Sequence, residues 1–453
     1  MRNPMFVYDE QMADIIFEYC RWRLALDPVP LDFGGGLGGS LASTLEGLIT
    51  EGGTDPQRVL EVWDEIATAV VSVDSPRFLS FIPAAPTKAA LLFDMIVSCS
   101  SLQGTSWLEA AGVVAAENQA LGVLAGLAGL PEGAGGCFVA GGSAGNLSGL
   151  MVARDTAGHR MGDRAPARPL VAISEEAHSS VGKALHLLGI EALLVPCDDH
   201  RLTGSAVQAF VDAHPRADDV IAVVATGGTT NAGIIDDLAG IGALAQERNW
   251  WFHVDGAYGG AGLFAPSVRP RFDGIEQVDS FVVDPHKWLF APFDCAALLY
   301  REPHLAKAVH TQDASYLEVL HTDAPEEWNP SDYAYHLTRR GRGLPLWFSL
   351  AVYGTHAYEE AVETVLTVTQ ETAALIERTP HVELIRHPEL SIVLFRRVGW
   401  GRAEYDAWSA RLLEDQIGFV TPTAWEGESV GRFALLHPDT TVAMIEEILA
   451  TMA

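Results

Sequence analysis

The chain has 453 residues, of which 48% are hydrophobic and 19% charged, and carries a formal net charge of -30. That length allows one large and one or two small domains with an ample core, and so acidic a chain is expected to avoid nucleic-acid backbones and anionic membrane surfaces, leaving small molecules as partners. Five cysteines (Cys20, Cys99, Cys137, Cys197 and Cys295) are scattered without CxxC spacing, which points to buried thiols in a reducing compartment.

The opening stretch, Met1 to Cys20, mixes Asp9, Glu10, Asp14 and Glu18 into its apolar residues and so lacks the form of a signal peptide. With no apolar run judged long enough to span a bilayer, a cytoplasmic location is expected. Pro4 to Leu26 has helical periodicity, with Ile15, Ile16, Tyr19 and Trp22 on one side. Leu31 to Ser40 is rich in glycine, and Gly34, Gly36 and Gly39 fit GxGxxG; prolines rather than a strand precede it, so a turn is expected instead of a dinucleotide site. Arg58 to Val71 reads as a second helix, and Ser75 to Pro83 as an apolar, proline-bounded segment.

Glu109 to Ala128 is predicted as a long alanine-rich helix. Strand-like apolar runs then recur at Cys137 to Ala140, Leu170 to Ser174, Ala192 to Pro196, Val220 to Thr226, Trp251 to Val254, Phe281 to Val283 and Cys295 to Tyr300. Helical windows such as Ser179 to Leu188, Ser205 to Ala213 and Leu238 to Glu247 separate most of them. This alternation predicts an α/β fold with a mainly parallel seven-stranded sheet covered on both faces and ligands at the carboxyl ends of its strands. Beyond Thr311 the chain turns polar, and a mobile loop is expected around Asp323 to Pro330. Helices from Leu344 and from Ala357 to Glu377 follow. A small C-terminal α+β domain is then expected, with strands at Ser391 to Phe395 and Arg432 to Leu436 and helices at Ala403 to Glu414 and Thr440 to Met452. The expected organisation is a helical arm (1–74), a large ligand-binding domain (75–320) and a loop with the small domain (321–453).

Four segments carry chemistry at predicted strand ends. Gly141-Gly142-Ser143-Ala144-Gly145-Asn146 lies between a strand and a helix, where free backbone N–H groups can seat a phosphate; the same letters fit the GxSxG nucleophile elbow, and a plain turn fits as well. Asp255, in His253-Val254-Asp255-Gly256-Ala257, could hold a pyridinium nitrogen protonated or could cap its turn. His178 follows another strand, and its imidazole could stack on a ring. His253 is two residues from Asp255, but without a third ligand at recognisable spacing no metal is expected. Lys287, in Asp284-Pro285-His286-Lys287-Trp288, sits at the mouth of a buried strand, where an aldehyde cofactor would convert a flexible amine into a covalent tether.

In order, the glycine-serine turn, Ala177-His178-Ser179-Ser180, Thr226-Gly227-Gly228-Thr229-Thr230, His253 to Tyr258, Asp284 to Trp288 and Phe293-Asp294-Cys295-Ala296 closely resemble the pyridoxal-phosphate-dependent group II amino-acid decarboxylases. The resemblance runs from about Ser75 to the C-terminus and includes Arg339-Arg340-Gly341-Arg342 and Gly431-Arg432-Phe433-Ala434. It implies a fold type I homodimer with shared active sites, pyridoxal phosphate as cofactor, and conversion of an L-amino acid to its amine and carbon dioxide. It implies that Lys287 ties the cofactor covalently and Asp255 partners the ring nitrogen, with His178 and Ala257 on opposite faces of the ring. Gly142, Ser143 and His286 would hold the phosphate, and Thr229 would lie near the ring. Phe81, Ile82 and Pro83, with Thr105 and Trp107, match the family's substrate-pocket segments and imply an aromatic or apolar substrate.

The family also carries a catalytic tyrosine about ten residues before the Arg-Arg pair. Ungapped counting reaches Pro330 here, so Tyr333, which follows Asp332, is the expected proton donor, with Tyr335 as the next choice. Two other outcomes stay open: oxidative deamination, giving aldehyde, ammonia and peroxide, or other lyase chemistry on the same scaffold; and, more remotely, a serine hydrolase built on Ser143 and His437.

Overall fold

All seven apolar runs form strands; six are buried on both faces, and the run from Ala192, at the sheet edge, leaves Ala192 and Leu194 exposed. The computed structural model describes residues 3–31, 41–82, 85–162, 165–320 and 327–453, so most of the glycine-rich stretch, Pro83 and residues 321–326 of the expected loop lie outside the described residues. The strands are β1 (Gly135–Val139), β2 (Leu170–Ser174), β3 (Glu191–Val195), β4 (Val220–Thr226), β5 (Trp251–Asp255), β6 (Ser280–Val283) and β7 (Ala296–Tyr300). They lie in the order β1-β7-β6-β5-β4-β2-β3, with β7 antiparallel to both neighbours and every other pair parallel. In β4, Val223 and Ala225 join the core on one face, while Ile221, Ala222 and Val224 join the core on the other. That two-sided burial is why an uninterrupted apolar run reads as a central strand of a parallel sheet.

Among the described residues the helices run in chain order around this sheet. The N-terminal part holds α1 (Glu10–Leu24), the single turn α2 (Leu41–Leu45) and α3 (Pro56–Ala67). Next come α4 (Lys88–Cys99), which the sequence reading did not anticipate, and α5 (Trp107–Leu127). Ser106 starts α5 with a reciprocal cap, accepting from Glu109 N–H and donating to the Glu109 carboxylate at 2.8 Å. By length and apolarity α5 could cross a bilayer, contrary to the sequence expectation. In the fold, however, its Glu117 is buried and forms a two-pronged pair with Arg339 at 2.6 and 2.7 Å.

The sheet's connections are α6 (Gly142–Met161), α7 (Ser179–Leu188), α8 (Gly204–Asp212), α9 (Leu238–Arg248), the single turn α10 (Pro285–Trp288) and α11 (Pro303–His310). The predicted helices from Leu344 and Ala357 are two halves of one long element, α12 (Leu344–Arg378), broken at Gly354, whose φ of 77° is open to glycine at little cost. Its first half packs on α4 and α5 and its second on the small domain, so α12 links the two. That domain contains α13 (Arg402–Glu414), α14 (Val442–Ala450) and an antiparallel sheet of β8 (Val382–Leu384), β9 (Ile392–Arg397), β10 (Thr423–Trp425) and β11 (Glu428–Ala434), ordered β10-β11-β9-β8.

Candidate active site

A cleft of about 420 Å³ opens where β1, β2, β4, β5 and β6 end and β7 begins. Its lining includes Gly142, Ser143, His178, Thr226, Asp255, Ala257, Asp284, His286 and Lys287, so the chemistry-bearing segments converge on one edge of the sheet. This is the carboxyl edge, where loops and helix N-termini leave backbone groups free.

Asp255 leaves β5 only 5% exposed. Its Oδ1 accepts the Ala257 N–H at 3.1 Å and its Oδ2 accepts Asn146 Nδ2–H at 2.8 Å, so both oxygens are held in place by donors while each keeps a free lone pair. Lys287 is the one lysine lining the cleft, and its Nζ lies 3.0 Å from Asp284 Oδ2. Asp284 also accepts Gly142 N–H at 3.1 Å, joining the end of β6 to the first turn of α6. His286 accepts Cys295 N–H on Nδ1 at 3.0 Å, which leaves any ring hydrogen on Nε2, 3.6 Å from Asp284. Burial is the main cause that draws the His286 pKa down and favours the neutral ring, against the opposing charge of Asp284.

The cleft suits a flat ring bearing a phosphate. A side chain at Gly142 would put its Cβ 2.9 Å from Ala257 Cβ and 3.0 Å from Asp284 Oδ2, so only glycine leaves that cradle open. Thr226 and Asp284 line the cleft, and among the described residues their buried Oγ1 and Oδ1 atoms have no hydrogen-bond partner. Ser143 is exposed at the helix N-terminus, a position suited to an anion.

Other expected site residues lie elsewhere. Thr229 does not line the cleft: its hydroxyl accepts Ile234 N–H at 3.1 Å and braces the turn, while Thr226 and Thr230 take the lining positions. Tyr333 does not reach the cleft either. It is buried, stacked on Trp328 with ring centroids 4.1 Å apart, in the core beside β1 and β7, and burial pushes its phenol far above the ordinary range. Tyr335 is half exposed, and its backbone N–H donates to Ser148 Oγ at 3.2 Å. Within one chain, then, neither tyrosine presents a hydroxyl at Lys287. Thr105 is buried, with its hydroxyl donating to Gln103 at 3.2 Å, and Trp107 N–H donates to Asn329 at 2.9 Å; neither belongs to the lining, nor does Ile82, which packs on the large core.

Phe81 is 63% exposed and sits at the rim, where Arg432 ties its carbonyl (2.8 Å) to that of cleft-lining Thr230 (2.5 Å). The hydrolase arrangement is not assembled, because no imidazole hydrogen-bonds Ser143 among the described residues and His437 lies next to Asp439 and Asp74. His253 is engaged on both nitrogens, by Ser280 and Asn146.

The sequence reading assigned no role to Asn146, Ser180, Thr226, Asp284 or Arg432. The available signal was a polar residue adjoining an apolar strand end or set among the small residues of a buried helix.

Comparison with known proteins gives the family and the fold. The family model described as the pyridoxal-dependent decarboxylase conserved domain matches residues 53–398. Aromatic-L-amino-acid decarboxylase of Bacillus atrophaeus is 29% identical over 425 residues, 91% of this chain and 87% of that protein. Phenylacetaldehyde synthase of Arabidopsis thaliana is 28% identical over 415 residues, 86% of this chain and 85% of that protein. The crystal structure of Oryza sativa TDC with PLP and tryptamine has the same fold, with a TM-score of 0.90 at 24% identity over 100% of this chain and 99% of that one. A family match over most of the chain, on a cleft suited to a phosphate-bearing ring and lined by a single lysine, places the chain in the pyridoxal-dependent decarboxylase family, as a carboxy-lyase that uses pyridoxal phosphate.

Proposed function

We propose that the chain decarboxylates an aromatic L-amino acid to its amine. The observation that carries the substrate class is the rim, where Phe293 (54% exposed) lines the cleft with its ring 5.1 Å from that of His286, and Phe81 is held nearby by Arg432. Two exposed rings suit a flat apolar side chain, and neither offers a charge to a glutamate.

Bound pyridoxal phosphate supplies an electron-accepting ring for the charge left when carbon dioxide departs. In this reading Lys287, now 3.0 Å from Asp284, would be the residue that holds the cofactor covalently. Asp255 would accept the hydrogen of the ring nitrogen, while Ser143 and His286 Nε2–H would hold the phosphate beside Gly142, whose own N–H is given to Asp284. His178 would cover one face of the ring and Ala257 the other. We also propose a homodimer, supported by exposed apolar side chains on α1 (Met12, Ile16, Phe17), α3 (Val59, Trp63) and α4 (Leu92, Ile96). Light scattering during size-exclusion chromatography tests it, and a monomer at micromolar concentration would count against it.

One observation favours a second reading, oxidative deamination to the aldehyde. Tyr333 is buried, and the one phenol lining the cleft, Tyr258, is held 2.6 Å from Ser391 Oγ and accepts Ser391 N–H. A chain without a positioned acid would protonate Cα slowly and leave time for oxygen. Assaying L-phenylalanine, L-tyrosine, L-tryptophan and L-glutamate for carbon dioxide, amine, aldehyde and peroxide separates the readings. Amine equal to carbon dioxide from an aromatic substrate is expected; equimolar aldehyde and peroxide would establish the second reading, and turnover of glutamate alone would overturn the substrate class.

A further inference from the structure

Behind Asp255 lies a buried run of side chains whose hydrogen-bond directions are set from its two ends. An indole N–H can only donate, so Trp251 Nε1 gives its hydrogen to Ser280 Oγ at 2.8 Å. A carboxylate can only accept, so Asn146 presents Nδ2 to Asp255 Oδ2 at 2.8 Å and therefore Oδ1 to His253 Nε2 at 2.9 Å. His253 must then carry its hydrogen on Nε2 and accept the Ser280 hydroxyl hydrogen on Nδ1, across 2.7 Å. Burial keeps that ring neutral, drawing its pKa down to about 4 although Asp255 pulls the other way.

Asn146 also branches. Its second amide hydrogen goes to Ser180 Oγ at 3.0 Å, and Ser180 donates to His178 Nδ1 at 2.8 Å, with the Ser180 N–H adding a contact at 3.2 Å. Nδ1 of His178 is thereby an acceptor, and its hydrogen belongs on Nε2. Asn146, His253 and Ser280 are fully buried, and each of their side-chain polar atoms has a partner. Tight packing holds the run in place: a Cβ at Gly149 of α6 would lie 3.1 Å from His253 Cε1 and 3.3 Å from Ser280 Oγ.

We propose that Asn146 is a positioning residue that locks the two ring contacts together, orienting Asp255 as an acceptor toward the ring nitrogen and, through Ser180, setting the tautomer of His178 on the ring face. One amide is suited to this task because it offers two donors and one acceptor from a single plane. An aspartate of the same shape offers no donor to Asp255 and would either repel it or share a proton with it. The inference concerns the cofactor end alone and holds whichever amino acid is the substrate.

The test compares N146D and N146A with the wild-type holoenzyme and the cofactor-free chain. N146D is expected to weaken pyridoxal-phosphate binding roughly ten- to a hundredfold. Its bound-cofactor absorbance should titrate between about pH 6 and 9, where the wild type's stays constant, and kcat should fall more than KM rises. N146A should weaken binding without adding a titration. If both variants bind the cofactor with wild-type affinity and pH-independent absorbance, and differ only in melting temperature, Asn146 is structural and the proposal fails. Should neither variant fold, nitrogen-15 NMR of imidazole-labelled wild-type protein without cofactor decides. A neutral His253 with hydrogen on Nε2 and no titration above about pH 5 upholds the wiring, and hydrogen on Nδ1 or a titration near 6.5 overturns it.

Discussion

At the cofactor end of the cleft, Asp255, Asn146 and Ser180 are less than a tenth exposed and bonded to one another, whereas at the rim Phe81 is 63% and Phe293 54% exposed. The first group comes from strand ends and the helix that abuts them. Its geometry is fixed before any ligand arrives, as acid–base and covalent chemistry requires. The second group belongs to loops whose side chains have little to pack against within one chain. A rigid chemical end beside a loosely held recognition end lets one cofactor site serve different substrates, and makes the two ends separable by mutation.

The largest expected effect lies at the rigid end. Lys287→Ala removes the group that would attach the cofactor, and activity should fall by about four orders of magnitude or more. After borohydride treatment and digestion, mass spectrometry should find the cofactor on the Lys287 peptide of the wild type and on no peptide of the variant. Cofactor fixed to another lysine would show that the cleft described here is not the chemical site. Asp255→Ala, by contrast, should keep the covalent attachment and lose roughly two to three orders of magnitude in kcat.

Next in size is a buried ion pair that belongs to neither end of the cleft. Arg339 and Glu117 are both nearly inaccessible, and Arg339 also donates to Gly104 O at 2.6 Å while Glu117 accepts Gly343 N–H at 2.8 Å. This pair fastens the Gly104–Thr105 segment to the start of α12. Arg339→Met leaves a buried carboxylate uncompensated and should lower unfolding free energy by about 3–5 kcal/mol in urea titrations. Replacing both partners with apolar residues of similar size should recover much of that loss. A loss below about 1 kcal/mol for the single variant would mean that the segment is held by something else.

The same contrast explains what was readable before the structure. Buried parallel strands are long apolar runs that end abruptly, so the residue after each run, whether Asp255 or the Asp284–Lys287 turn, can be placed at the sheet's carboxyl edge from sequence alone. Side-chain direction inside a turn has no such period, and Thr226, Thr229 and Thr230 could not be told apart although their environments differ. Tyr333 followed the family's local pairing with aspartate, but its position is set by a tertiary contact, the stack on Trp328, which leaves no local trace. Helix α4 went unseen because Lys88–Cys99 is apolar on several sides, with Leu92 and Ile96 exposed, so it lacks the periodicity of a helix buried on one face. Asn146 was visible as a letter in the turn, yet its partners come from two other stretches of the chain, Ser180 and the end of β5.

At the recognition end itself, Phe81→Ala should raise KM for the preferred aromatic substrate about tenfold and leave the cofactor dissociation constant unchanged. The wild-type ring is tilted against Phe78 and Phe419, with centroids 6.5 and 6.3 Å away, so truncation opens the rim without opening the core. Weaker cofactor binding in this variant would mean that the two ends are coupled and the comparison fails.

The smallest effect concerns a contact that joins the loop of His178 to the small domain. His200 lies between Glu176 Oε1 (2.8 Å, to Nδ1) and Glu426 Oε1 (3.2 Å, to Nε2), with the Trp425 ring tilted against its own at a centroid distance of 4.0 Å. Burial is the largest single influence on this imidazole and lowers its pKa, but the hydrogen bonds and charges of the two glutamates together outweigh it, and the net shift is upward. A histidine whose pKa is raised on folding contributes its full stabilisation below the unfolded value of about 6.5, and loses it as pH climbs through the folded value. Glu426 is 69% exposed at its side chain, so the contribution should be no more than about 1 kcal/mol. His200→Gln keeps a hydrogen-bonding side chain but cannot take up the proton. The difference in unfolding free energy between wild type and H200Q should therefore be greatest near pH 6 and shrink toward zero by about pH 9. A difference that stays constant across that range would mean that packing on Trp425, and not the charge, holds the loop of His178 to the small domain.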